Sequence, residues 1–198
     1  MKRNCSTVPS IETLESRIAP AGLIAFSGDH KTATWTDVDG DKVTLFVSKG
    51  RLDTALFTTD QTPATGLLVT KLDLTGAEFA GANVRLGAVR DPLTGGDGAV
   101  NLGYLNAAGH DLNIVTVSGD LGRIDAGIAL ITAKTPKAIG VLNVFSMGTL
   151  DGATLPAGVS QTSEIVGAVG VVKVRGSVQG ILFNVTGGAA GRDRKSVV

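Results

Sequence analysis

The sequence predicts an all-β fold in which a β-hairpin leads into a parallel β-solenoid with irregular coils of 27–30 residues, behind a flexible or short-helical N-terminal tail. Three observations carry that expectation. Residues 31–49 alternate apolar and polar side chains with a period of two, and Val-rich segments recur at near-constant spacing in the second half. Glycine is abundant, 27 in 198 residues, while aromatics are limited to one Trp, one Tyr and six Phe. Such a composition suits many tight corners around a core of small aliphatic side chains better than it suits helices.

Taken in chain order, residues 1–22 read as a sorting-like tail, 23–70 as a hairpin lead-in, 71–191 as repeats and 192–198 as a non-native end. The tail starts with Met1-Lys2-Arg3, yet the polar and acidic residues behind it leave no room for the apolar stretch of an ordinary signal peptide. Cys5 has no second cysteine to pair with.

The hairpin is read from "TATWTDVDGDKVTLFVSKG". Asp39-Gly40 as a two-residue turn would set Asp37 opposite Lys42 and Trp35 opposite Thr44. Val43 and Leu45 would then share one face, with Trp35 and Phe46 on the other, so that both faces need cover. The same turn holds the metal-like constellation of the chain, Asp37, Asp39 and Asp41, whose alternation matches the start of a calcium loop. No Glu stands at the twelfth loop position, and an Asp-Gly hairpin accounts for the same residues, so calcium and a plain turn both stand as readings.

Beyond the hairpin, Leu74, Phe79, Val84 and Val89 recur every five positions, each with Leu72, Ala77, Ala82 or Gly87 two places before it. Ala77-Glu78-Phe79 and Ala82-Asn83-Val84 resemble the units of pentapeptide-repeat sequences, a resemblance that implies a four-sided right-handed β-helix over about one coil. The longer repeats start at Val115, Leu142 and Val172, which lie 27 and 30 residues apart. Stacked at about 4.8 Å per rung, they would form inward ladders from Val115, Val117 and Leu121, from Leu142, Val144 and Leu150, and from Val172, Val174 and Val178. An antiparallel sandwich of Val-rich strands is the alternative.

Charge and motifs narrow the function. Lys plus Arg equals Asp plus Glu at 18 each and the pI is near 6.7, which argues against nucleic acid as a partner. No window has the apolar length of a membrane span. His30 and His110 sit in no HExxH pattern, and no nucleophile motif accompanies them, so the sequence reads as non-enzymatic and without a cofactor other than a possible Ca2+. Asp120 and Asp125 flank Arg123, an arrangement that would put carboxylates on an exposed rung face or else form a solvated salt-bridging edge. A cluster of Asp, Lys and Arg on one such face would favour a β-helix carbohydrate-active enzyme; a Thr/Ser/Asn face would favour a scaffold.

Residues 10–22, "SIETLESRIAPAG", decide between these classes. Leu14-Glu15-Ser16-Arg17 and Ile18-Ala19-Pro20 resemble the LEPR-XLL motif of very large surface proteins of planctomycetes and verrucomicrobia, with Ser16 in place of Pro and Ala19-Pro20 in place of the Leu pair. A short capping helix begun at Ser10 is the structural reading of the same residues. The broader Gly/Val-rich pattern of residues 10–191 is similar to the repeats of those proteins. The resemblance implies an export or sorting tag followed by extracellular, structural or adhesive repeats, with the remainder of a larger parent chain and cell-surface or matrix components as partners. "DRKSVV", residues 193–198, looks like the in-frame translation of a sequencing adaptor, so that the natural chain is expected to continue beyond about Gly191.

Overall fold

The computed structural model describes residues 23–60, 66–93, 95–128, 137–150 and 152–186. The tail with Leu14, Glu15, Ser16, Arg17, Ile18, Ala19 and Pro20, and the adaptor-like end, lie outside the described residues.

The fold is all-β, a curled mixed sheet of twelve strands. In chain order these are β1 (Ala25–Phe26), β2 (Thr32–Thr36), β3 (Lys42–Val47), β4 (Phe57–Asp60), β5 (Leu68–Asp73) and β6 (Ala82–Val89). They continue as β7 (Leu102–Ala108), β8 (Leu112–Gly127), β9 (Lys137–Met147), β10 (Thr162–Val166), β11 (Ala168–Val174) and β12 (Leu182–Thr186). Among the described residues, no helix is long and apolar enough to cross a membrane.

Two rows of strands meet in β8, which at 16 residues is long enough to belong to both. Its first half pairs in parallel with β6 and β9, and its second half with β7 and β10. The register breaks between Val117 and Asp120, where the sheet curls from one row into the other. The first row therefore runs β1, β2, β3, β6, β8, β9, β11, with antiparallel pairing up to β6 and parallel pairing after it. The second runs β4, β5, β7, β8, β10, β12, antiparallel only between β4 and β5.

The core lies between the rows. Val84, Val115 and Leu142 stand in register across β6, β8 and β9, as do Leu86, Val117 and Val144 beside them, and all are buried. From the second row Leu72, Leu105 and Ile124 face them, again in register and buried. Side chains stacked at strand spacing remove one another from water, so each column is a continuous apolar seam.

The long repeats pair as their spacing predicts: Val115 lies opposite Leu142, and Leu142 opposite Val172. The ladder ends differ. Leu121 pairs with Met147, not Leu150, and Met147 bridges Val178; Leu150 and Val178 are exposed. The strand runs straight through to Met147 before turning at Gly148, so the position three residues later has already left the sheet. The pentapeptide-like units also separate. Ala77–Phe79 is a 3-10 turn that buries Phe79, and Ala82 opens β6, so they are not two sides of one square coil.

The hairpin exists with a different turn. Thr36 pairs with Lys42 and Trp35 with Val43, one residue out of the expected register. Asp37 N–H donates to Asp41 O at 3.0 Å, and Gly40 N–H donates to Asp37 O, closing a three-residue loop in which Gly40 takes the left-handed conformation at φ 97°. A one-residue slip exchanges faces. Trp35 consequently joins Ala33, Val43 and Leu45 on the buried side, and Phe46 turns outward; a single apolar face needs cover. Trp35 meets Phe57 edge-on at 6.1 Å between ring centroids, and Phe57 meets Phe26 at 6.0 Å, so aromatics close this end of the core.

Candidate functional site

Five strands of the second row carry a segment that ends in Asp, Asn or Glu after an inward-facing residue. Lys71-Leu72-Asp73, Tyr104-Leu105-Asn106, Arg123-Ile124-Asp125, Thr162-Ser163-Glu164 and Leu182-Phe183-Asn184 occupy β5, β7, β8, β10 and β12. The register sets Lys71 against Tyr104 and Tyr104 against Arg123, with Asp73, Asn106 and Asp125 in the next column. Thr162 faces Leu182 and Glu164 faces Asn184, while the Ile124 amide donates to Ser163 Oγ, tying the third unit to the fourth. Each middle residue points inward, and the flanking residues point outward, as the strand period requires.

The outward columns form a bonded network. Arg123 clasps Asp125 through two bonds, Nε to Oδ1 at 2.9 Å and Nη2 to Oδ2 at 2.6 Å. The Tyr104 hydroxyl donates to Asp125 Oδ2 at 2.6 Å, and Glu164 N–H donates to Oδ1 at 2.8 Å. Burial raises the Asp125 pKa, but Arg123, the Glu164 amide and Tyr104 outweigh it and hold the carboxyl below its ordinary value. Tyr104 is pushed well up, first by burial and then by its bond to Asp125. Its ring lies between two cations, Lys71 Nζ at 5.6 Å and Arg123 Cζ at 4.8 Å from the centroid. At the two ends, Lys71 pairs with Asp73 at 2.6 Å, Asn106 donates to Asp73, and Asn184 donates to Glu164 at 2.6 Å.

Of the two carboxylates that flank Arg123 in sequence, only Asp125 joins this face. Asp120 is buried at the curl of β8, where Ser146 Oγ and the amide and hydroxyl of Thr149 donate to its Oδ1, and its Oδ2 has no partner. Lys71, Asp73, Tyr104 and Glu164 escaped sequence reasoning. Their signal is an outward residue, an inward residue, then Asp, Asn or Glu, hidden by first positions that lie 33, 19, 39 and 20 residues apart.

The acidic turn is drawn together as the sequence suggests. Asp37, Asp39 and Asp41 each bring a carboxylate oxygen within 4.8 Å of the others. Most of these oxygens already accept backbone N–H groups. Asp37 Oδ1 takes Asp41 N at 2.8 Å, Asp41 takes Asp91 N at 2.8 Å and Gly98 N at 2.5 Å, and Asp39 Oδ2 takes Asp97 N at 3.3 Å. The carboxylates thus pin the hairpin loop to residues 91–98. Gly96 belongs there because a Cβ would stand 1.7 Å from Asp41 Oδ1.

Asp39 Oδ1 is buried without a partner. Burial, then the neighbouring Asp39 carboxyl, raise the Asp37 pKa to about 7. A cavity of about 80 Å³, lined by Trp35, Asp37, Asp39, Leu67, Val100 and Asn101 among others, opens beside them.

The histidines are polar loop residues. His30 Nδ1 bonds Leu52 O at 2.8 Å and its Nε2 meets Arg51, while His110 bonds Thr75 O. With these geometries in place, comparison of the chain with protein-family models, curated proteins and solved structures gives no match.

Proposed function

We propose that the chain is a structural or adhesive repeat region of an exported bacterial cell-surface protein, built as a stack of two-strand coils of the parallel β-solenoid kind. One observation carries this: five segments of the second row, each with its third residue Asp, Asn or Glu, stack strand on strand while the loops between them vary in length. Repeating a rung position while loops vary is what a rod needs and what a single active site does not. The resemblance of residues 14–20 to a sorting motif supplies export, and the remainder of a larger chain supplies attachment.

The carbohydrate-active alternative has Lys71, Asp73, Arg123, Asp125 and Glu164 on one face in its favour. Bond accounting counts against it. Both Asp125 oxygens are occupied by donors, and Tyr104 lies between cations, so Asp125 is not placed to act as a general base and Tyr104 offers no open aromatic platform for a sugar. Polysaccharide cleavage assays on the full chain are the direct test. Depolymerisation that disappears in Asp125→Asn would defeat the scaffold reading, whereas a scaffold loses only stability. Tyr104→Phe, which removes one bond to a charged group, should cost about 1.5–3 kcal/mol in urea unfolding. The address role is read separately: replacing Leu14 and Arg17 should abolish export of the chain without moving its melting temperature.

A calcium-stabilised module is the second reading, and the unpartnered Asp39 Oδ1 favours it. Calcium takes six to eight oxygens, in the range of roughly 2.3–2.6 Å, so binding would have to displace backbone donors from this cluster. The expected mark is a chelator-sensitive melting temperature that Asp39→Ala makes insensitive. An unchanged melting temperature in chelator sinks it.

A further inference from the structure

Resting on the adhesive reading above, we infer that the outer face of the first row is the adhesive surface and that its ligand is an acidic polysaccharide. A net charge of zero conceals an uneven division between the rows. The strands of the first row, with β8 counted as far as Ser118, carry Lys42, Arg85, Lys137 and Lys173 and no acidic residue. Those of the second carry Lys71 and Arg123 against Asp60, Asp73, Asp125 and Glu164, and both of these cations are paired with a neighbouring carboxylate. Among the described residues, Lys42, Arg85 and Lys173 are exposed and make no ion pair. The first face is therefore positive, with no carboxylate of its own to neutralise it.

The register lays a track across this face. Phe46, Arg85, Thr116, Asn143 and Lys173 stand side by side on β3, β6, β8, β9 and β11. Arg85 belongs to β6, which is paired on both sides, so its exposure is a property of the face and not of an edge. Three strand spacings of about 4.8 Å separate Arg85 from Lys173, roughly 14 Å in all, and the Thr116 hydroxyl and Asn143 amide lie between them. Phe46 and Phe145, 38% and 54% exposed, add two apolar rings. Spaced cations with donors and acceptors between them, and ring surface beside them, match a chain of sugars: carboxylates at intervals, hydroxyls that give and accept hydrogen bonds, and apolar C–H faces. Denser polyanions fit this spacing less well. Duplex DNA presents a charge about every 1.7 Å, and anionic lipid surfaces are read by clusters of roughly 4–8 cations.

Calorimetric titration of the full chain with polygalacturonate in calcium-free buffer tests this. Binding should be measurable at low ionic strength, weaken as salt screens the charges, and vanish for the same polymer with its carboxylates methyl-esterified. Arg85→Gln and Lys173→Gln should each weaken it by roughly fivefold, the upper range for an exposed ion pair. Arg85→Lys should recover most of the loss, and because both side chains are exposed none of the three variants should move the melting temperature. No binding of polygalacturonate, equal binding of its methyl ester, or indifference to both glutamine variants overturns the inference. Tighter binding of duplex DNA or of phosphatidylglycerol vesicles overturns it as well. The adhesive reading fails separately. Cleavage of polygalacturonate that Asp125→Asn abolishes would defeat that reading, whereas absent binding without cleavage removes this ligand and leaves the structural rod.

Discussion

The two ends of the sheet are built from the same kinds of residue and finished in opposite ways. At the hairpin end, the antiparallel turn of β2 into β3 folds Trp35 over the core, Phe57 and Phe26 pack beside it, and the acidic loop is tied to residues 91–98. At the far end, among the described residues, β11 and β12 each pair on one side only, with Val171, Val172, Leu182 and Val185 exposed. Both ends present strand edges, since β1 and β4 also pair on one side only; what differs is that the large aromatics cover the core at the hairpin end.

The largest effect is expected where that cover is removed. Trp35 is 5% exposed, and Trp35→Ala should cost about 3–5 kcal/mol in urea unfolding. A loss as small as that of an edge valine would erase the distinction between the ends. Next comes Asp41→Ala, which leaves the Asp91 and Gly98 amides without their acceptor. Both amides are only part-buried, so each should cost about 1 kcal/mol, the low end of the buried-donor range, and the damage should appear as fast amide exchange confined to residues 91–98.

The pH dependence sharpens the contrast, because the far end has no counterpart to Asp37 among the shifted groups. The folded pKa of Asp37, about 7, lies above the ordinary 3.8. The folded chain therefore binds this proton more tightly than the unfolded one. The resulting stabilisation is fully present below the unfolded value and is lost as pH rises through about 7. Asp39, held below its ordinary value first by the bond from Asp37, works in the opposite sense at the acid end. Asp37→Asn should flatten the decline between about 4 and 7, and an equal decline in that variant would assign it to other groups.

How much was legible follows from the same contrast. The all-β class and the 115, 142, 172 register were readable because apolar residues fill every inward position of that row. The hairpin strands were readable too, but their faces were not. Asp39-Gly40 signals a turn without stating its length, and the Asp37–Asp41 closure that adds a residue is made by backbone bonds together with a side-chain bond. The second row stayed hidden because its inward column runs Leu72, Leu105, Ile124, Ser163, Phe183, which is no hydrophobic pattern once Ser163 enters it. The acidic triad could be named from spacing, whereas the donors that occupy it come from residues 91–98, far along the chain.

The smallest effect is the most discriminating. Val115 and Val172 belong to one column, separated by Leu142, and are 0% and 44% exposed. Replacing either by Ala removes the same two methyl groups, so composition and β-propensity change identically and only burial differs. At about 0.8 kcal/mol per buried carbon, Val115→Ala should cost roughly 2 kcal/mol once the cavity is added. Val172→Ala should cost about half the transfer value, under roughly 1 kcal/mol, in urea unfolding. Equal costs would mean that Val172 is as buried in solution as Val115, and the contrast between the two ends would fail.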